Sequence, residues 1–187
     1  MNINYTLTFH TDWHCGSGLS AGADVDALVV KDNEGLPFVP GKTIKGLVRE
    51  AAQSLRDLAN LSFNAEQETA WNDTFGQENA GDGTPTRIST TFFTNAEMKA
   101  EERTAIAAEN LTTHLYRNIS RTAIDDKGIA KEHSLRRMEV TIPCELHGEI
   151  LHVPDEMVEH LKAALAYIKR MGLGRHRGLG RCTFQTI

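Results

Sequence analysis

The longest run of strict period-two patterning in the chain lies between Met138 and Ile150. Met138, Val140, Ile142, Cys144, Leu146 and Ile150 fall on one side, and Glu139, Thr141, Glu145, His147 and Glu149 on the other. Successive side chains of a β-strand point to opposite faces, so this pattern predicts a sheet with one apolar and one polar face. The apolar face must be covered by a second layer. Pro143 falls on the polar side and has no N–H to donate, which predicts an edge or a bulge there.

The remaining segments supply that layer. Residues 3 to 10 alternate in the same way, with Ile3, Tyr5, Leu7 and Phe9 on one face, and predict a first strand. Gly16, Gly18 and Gly22 among small polar residues predict a loop, followed by a short strand over 27–30 and a turn at Asp32 to Gly35. After Pro40 and Gly41, the recurrence of Ile44, Leu47, Val48, Ala51, Leu55 and Leu58 predicts a helix over 43–61. A weaker helical pattern covers 64–74, a loop covers 75–85, and 87–93 reads as a strand. Pro154 and Asp155 open a further helix with Met157, Leu161, Ala164, Leu165 and Ile168 on its stripe, Gly172 is placed as its C-terminal cap, and a final strand covers 179–186.

Strand, helix, strand, strand, helix, strand is the order of a ferredoxin-like, or RRM-like, βαββαβ unit. The expectation is one α+β domain over 1–187, with an insertion at 11–41 after the first strand and a thumb-like insertion at 94–137 between the middle strands. The second insertion is too long for a hairpin loop, so it carries a helix, for which 96–110 is suited, or serves a partner.

With 187 residues and 40% apolar content, the chain has enough material for one core. Three cysteines, Cys15, Cys144 and Cys182, show no CxxC spacing and read as reduced thiols. No basic start with an apolar run and no stretch near the roughly 18 apolar residues of a membrane helix is present, so a cytoplasmic protein without membrane contact is expected. The formal net charge of −5 argues against a uniformly basic nucleic-acid binder. Distribution matters more than the sum: after Glu159 there is no acid, while Lys169, Arg170, Arg175, Arg177 and Arg181 follow.

That basic tail holds the glycine-rich stretch MGLGRHRGLGRC, residues 171–182. A dinucleotide fingerprint requires GxGxxG after a strand and before a helix. Here the spacing differs and the stretch follows a helix and precedes a strand. GLPFVPGKTIKG is no P-loop either, because five residues separate Gly35 from Gly41 and two of them are prolines. What remains is a turn whose backbone can approach a ligand closely, flanked by arginines, which suits an RNA backbone as well as it suits a plain helix cap and tight turn.

The wider pattern resembles the RAMP superfamily of CRISPR-associated proteins. GLGRHRGLGRC is similar to that family's C-terminal glycine-rich loop, and residues 17–51, with an Asp before a small apolar run and then PGKTIKGLVR, resemble the Cas7 group, the backbone subunits of type III effector complexes. Residues 74–93 resemble the FG element, loop and strand that follow in that group, and 118–150 its thumb and returning strand. The resemblance implies a subunit that polymerises with copies of itself along a guide (CRISPR) RNA, with other effector subunits and a target RNA as further partners. It implies metal-dependent endonucleolytic cleavage of target RNA at Asp26, with Asp24 as a close neighbour, and Mg²⁺ or another divalent cation as cofactor.

Independently of family, a loop carboxylate can hold a divalent metal that activates a water or a 2′-OH. Candidate RNA-binding residues are Lys42, Lys45 and Arg49 at the start of the first helix, where a helix N-terminus favours anions. Arg117, Arg121, Arg136 and Arg137 are candidates in the thumb, and Gly172, Gly174, Arg175, His176, Arg177, Gly178 and Gly180 in the glycine loop. Trp13 is assigned to the core and His14 to a solvated loop; His133 sits in a basic segment. The alternatives are a non-catalytic structural subunit of the same fold binding the guide, and a metal-independent guide-processing ribonuclease of the Cas6 type with a histidine base.

Overall fold

The computed structural model describes residues 1–22, 24–77 and 86–187. In chain order they form β1 (Ile3–Phe9), α1 (Gly41–Leu58), α2 (Ala65–Phe75), β2 (Phe92–Phe93), α3 (Ala100–Ala108), β3 (Tyr116–Arg121), β4 (Arg136–Thr141), β5 (Glu145–Leu151), α4 (Val158–Tyr167) and β6 (Cys182–Thr186). Four strands make one antiparallel sheet in the order β2-β5-β1-β6, and β3 and β4 pair separately as a two-stranded sheet. The result is an α+β fold with an antiparallel sheet, consistent with a ferredoxin-like core.

Strand alternation works as the side-chain pattern requires. Tyr5, Leu7 and Phe9 of β1 join Leu146 and Ile150 of β5 and Phe184 of β6 on the buried face. There α1, through Ile44 and Val48, and α4, through Leu161 and Leu165, close the core. Trp13 is buried in this core and stacks on Phe9 at a centroid distance of 4.2 Å. The opposite face is polar: Thr6 faces His147 across the register, Thr8 faces Glu145, and Asn4 faces Glu149.

Several expected boundaries shift, each for a physical reason. The run from 138 to 150 is two strands in two sheets. Pro143 cannot donate, the Ile142 N–H bonds Leu115 O, and the Cys144 carbonyl accepts from Phe9 N–H, so the chain changes partners across 142–144. Thr141, on the expected polar side, is fully buried because its backbone pairs with Trp13 in both directions (2.8 and 3.0 Å). Residues 27–30 form isolated bridges, Ala27 with Met138 and Val29 with Gly16, since their backbone groups bond the loop at 15–19 and β4. The strand expected over 87–93 is confined to Phe92–Phe93, with Arg87 bridging Gln77 instead.

The first helix runs 41–58, not 43–61, and the second is set by Asn64, whose side chain accepts from Gln67 N–H while the Gln67 side chain returns to Asn64 N–H. α4 stops at Tyr167; Gly172 lies beyond its cap residue Ile168 and serves a loop contact. The final strand starts at Cys182, because residues up to Arg181 are held by the glycine loop. Of the loop expected over 75–85, residues 78–85 lie outside the described ones. The segment between β2 and β5 holds α3 and the β3-β4 hairpin.

Candidate nucleic-acid interface

The glycine-rich stretch begins where α4 has ended. Met171 N–H donates to Gly180 O (2.9 Å) and Arg170 bridges Arg181, so the segment between them closes into a loop. Two backbone contacts dock it on the segment after β1: Gly180 N–H to Asp12 O (2.7 Å) and Leu173 N–H to His14 O (3.0 Å). Both ends of the loop require glycine. At Gly172 φ is +85° and a Cβ would lie 2.3 Å from His14 O; at Gly180 φ is +66° and a Cβ would lie 1.9 Å from Met171 O. Leu179 packs with Met138 and Val140 of β4 in a second small core, with Ala27 and Ile119 against it. The loop thus sits on the hairpin's base, with His176 and Arg177 left exposed.

Hairpin, glycine loop and the residues around Asp26 enclose a cleft of about 960 Å³. Its walls are Arg121 to Ile124, Ser134 and Arg136 to Met138 on the hairpin side, and Gly172 to Arg177 on the loop side, with Asp26 and Ala27 between them. A Thr122–Ser134 hydroxyl contact of 2.7 Å ties the two arms of the hairpin just beyond the ends of β3 and β4. The Arg121 guanidinium lies against Gly174, where a Cβ would come 3.0 Å from both terminal nitrogens. Arg121, Arg136, Arg137, Arg175 and Arg177 bring five cations to the cleft with His176, and none is ion-paired among the described residues. Asp26 is the one acid in the lining among the described residues.

Asp26 is held by a two-point clamp: its N–H donates to Arg137 O and its Oδ2 accepts from Arg137 N–H, both at 2.8 Å. Oδ1 has no protein partner among the described residues, and Asp26 is exposed. Asp24 is exposed in the neighbouring turn, where its N–H bonds Ala21 O, and does not line the cleft. Among the described residues there is no cluster of three His, Cys, Asp or Glu able to hold a metal ion.

The other candidates stand elsewhere. Lys42, Lys45 and Arg49 share one side of α1 by their spacing and do not line the cleft. Burial, and then the Arg49 charge, lowers the Lys45 pKa. The flank of α1 that meets the glycine loop carries Leu47, Glu50, Ala51 and Ser54 instead. Gly178 faces open space and Gly180 is a docking residue, both outside the lining. Arg117 is committed to the buried Asp12 through Nε at 2.6 Å and through Nη2, so it ties β3 to the segment after β1. His14 is not solvated: it is buried with Nδ1 2.6 Å from Glu139 O, and His133 is exposed beside the lining residue Ser134 without being part of the lining.

Asp12, Thr122, Ser134 and Leu179 escaped the sequence reading. Each acts through a partner distant in sequence, and nothing local marks it. The three cysteine thiols are pushed up by burial, Cys144 and Cys182 to about 12, which fits structural roles. The polar sheet face, where an RRM-like sheet stacks bases on aromatics, carries Glu145 and Glu149, with the exposed Phe92 opposite Leu151 at its edge, and so sets acids beside an exposed phenyl ring. The cleft is therefore where anion-binding chemistry gathers.

No helix among the described residues is long and apolar enough to cross a membrane. No curated protein matches the sequence. Among solved structures, the fold is similar to a type III-B Cmr-beta structure by cryo-EM bound to cognate target RNA, with a TM-score of 0.69 and 11% identity over 100% of this chain and 97% of that one. It is also similar to the apo state of type III-B Cmr-beta, with a TM-score of 0.65 at 11% identity and the same coverage. The family model of the RAMP superfamily matches residues 6–183, a span that takes in most of the sheet and all of the hairpin and glycine loop that line the cleft, and the chain belongs to that superfamily.

Proposed function

We propose that this RAMP protein is a backbone subunit of the Cas7 group in a type III CRISPR effector complex. It holds guide RNA in the cleft, assembles with copies of itself and other effector subunits, and cuts paired target RNA at Asp26. The observation that carries this reading is the cleft, in which, among the described residues, five arginines without acidic partners face a single carboxylate. Phosphate contacts of this kind fix a strand without reading its bases, which suits a guide whose sequence varies.

A divalent ion such as Mg²⁺ would take Asp26 Oδ1 as its one protein ligand, with RNA phosphate and water completing the shell, a pattern common for Mg²⁺. Bound there, the ion would activate the attacking oxygen and stabilise charge on the phosphate. The chain's own residues perform the positioning. Arg137 backbone aims the carboxylate, and Arg121, Arg136 and Arg175 hold the strand on either side of it.

The Arg137 clamp also favours a second reading, in which Asp26 only fastens β4 and the subunit is a scaffold. Target cleavage in the assembled complex separates the two, using wild type, Asp26→Asn and Asp26→Ala with and without Mg²⁺, with guide binding measured in parallel. Asparagine keeps an oxygen for Arg137 N–H but loses the charge. If Asp26 is catalytic, wild type cuts only with metal and the asparagine variant loses about 10²–10³-fold in rate with guide binding unchanged. If wild type does not cut, and only alanine disturbs binding, Asp26 is structural. Metal-independent cutting lost in His176→Ala would point to guide processing.

A further inference from the structure

On the helix side, a shallow groove of about 180 Å³ adjoins the cleft, between α1 and the end of α4. Leu47, Ala51 and Ile168 give it an apolar floor, and the small Ala51 and Ser54 leave room above the α1 backbone. Its rim carries Lys169, Arg170 and Arg175 against one acid, Glu50, and none of these cations is ion-paired among the described residues. Arg175 lines both the groove and the cleft, so the two concavities meet at one guanidinium.

Among the described residues the cleft lining holds no Phe, Tyr or Trp, its one ring being the His176 imidazole. The groove has a phenol ring: Tyr167, the last residue of α4, is 46% exposed and stacks on no other ring among the described residues. We infer that the groove is a second RNA subsite, taking the nucleotide next to those in the cleft, with its base against Tyr167 and its phosphate on Lys169 and Arg170. The inference rests on the RNA-binding reading. Cationic rim, apolar floor and exposed ring together are what single-stranded RNA requires, and a phosphate at Arg175 is shared by both subsites.

The test is fluorescence anisotropy of the full chain with labelled single-stranded RNAs of increasing length, comparing wild type, Arg136→Ala, Tyr167→Ala and Tyr167→Phe. Tyr167 is exposed, so its variants keep the fold. The expected result is that Arg136→Ala weakens every RNA, whereas Tyr167→Ala weakens only RNAs above a threshold length, by about 5- to 100-fold, and Tyr167→Phe binds as wild type. A 2-aminopurine probe at the reaching position is then quenched by wild type and Tyr167→Phe but not by Tyr167→Ala. If Arg136→Ala weakens binding and Tyr167→Ala matches wild type at every length, the groove assignment falls and the cleft stands. If wild type binds no RNA, both fall.

Discussion

Gly178 and Gly180 differ by two positions and by what surrounds them. Both have positive φ, +87° and +66°, but only at Gly180 would a Cβ meet backbone, 1.9 Å from Met171 O, while Gly178 has open space. Gly180→Ala should therefore cost about 2–4 kcal/mol, because strain in the left-handed region adds to a clash in the loop's closing pair. Gly178→Ala should cost only about 1 kcal/mol. Urea denaturation of the two variants checks the contrast. Equal losses would mean that the closing pair is not what holds the loop. The sequence marks both glycines alike, since the distinction lies in a carbonyl brought in from Met171.

α3 shows how an element with little apolar anchorage is held. It buries none of its residues. Arg103 fastens it to Asp32 at 2.8 Å and to Glu34 at 2.5 Å, and Asp32 Oδ1 also accepts from Glu34 N–H and Leu36 N–H, each at 2.9 Å. Burial pushes the Asp32 pKa up, but the hydrogen bonds from Leu36, Arg103 and Glu34 outweigh it and the net shift is downward. A pKa depressed on folding stabilises the native state above the unfolded value, about 3.9, and that contribution is lost as pH falls through the lower folded value. Urea midpoints should therefore fall from about pH 4 downward. Asp32→Asn should be less stable at neutral pH with a flatter acid decline, and an unchanged decline would remove Asp32 from the account. The helix itself was legible from composition, with its ends at 100 and 108 inside the expected span, but its ion-pair partners in the turn at 32–34 were not.

Across the molecule, charge is segregated: the chain is acidic by −5 and gathers five arginines in one cleft. RNA affinity should fall steeply with salt, and Arg136→Ala should reduce the slope of log K against log salt by about 0.7, the value for one single-strand phosphate contact. Lys45→Ala, outside the cleft, should leave that slope unchanged for RNAs that occupy the cleft alone. A salt series on both variants decides it, and equal effects would extend the RNA path to the α1 side. By itself the sequence determined what is set by short-range periodicity and local chemistry: β1, the two helices over the sheet, the glycine loop and its arginines. Only the tertiary structure decided that 138–150 divides between two sheets and that Asp26, Arg121, Arg137 and Arg175 meet. A side-chain pattern reports which way residues face within one segment. Which backbone pairs with which, as in Asp26 with Arg137 across 111 positions, is decided by hydrogen bonds the pattern does not encode.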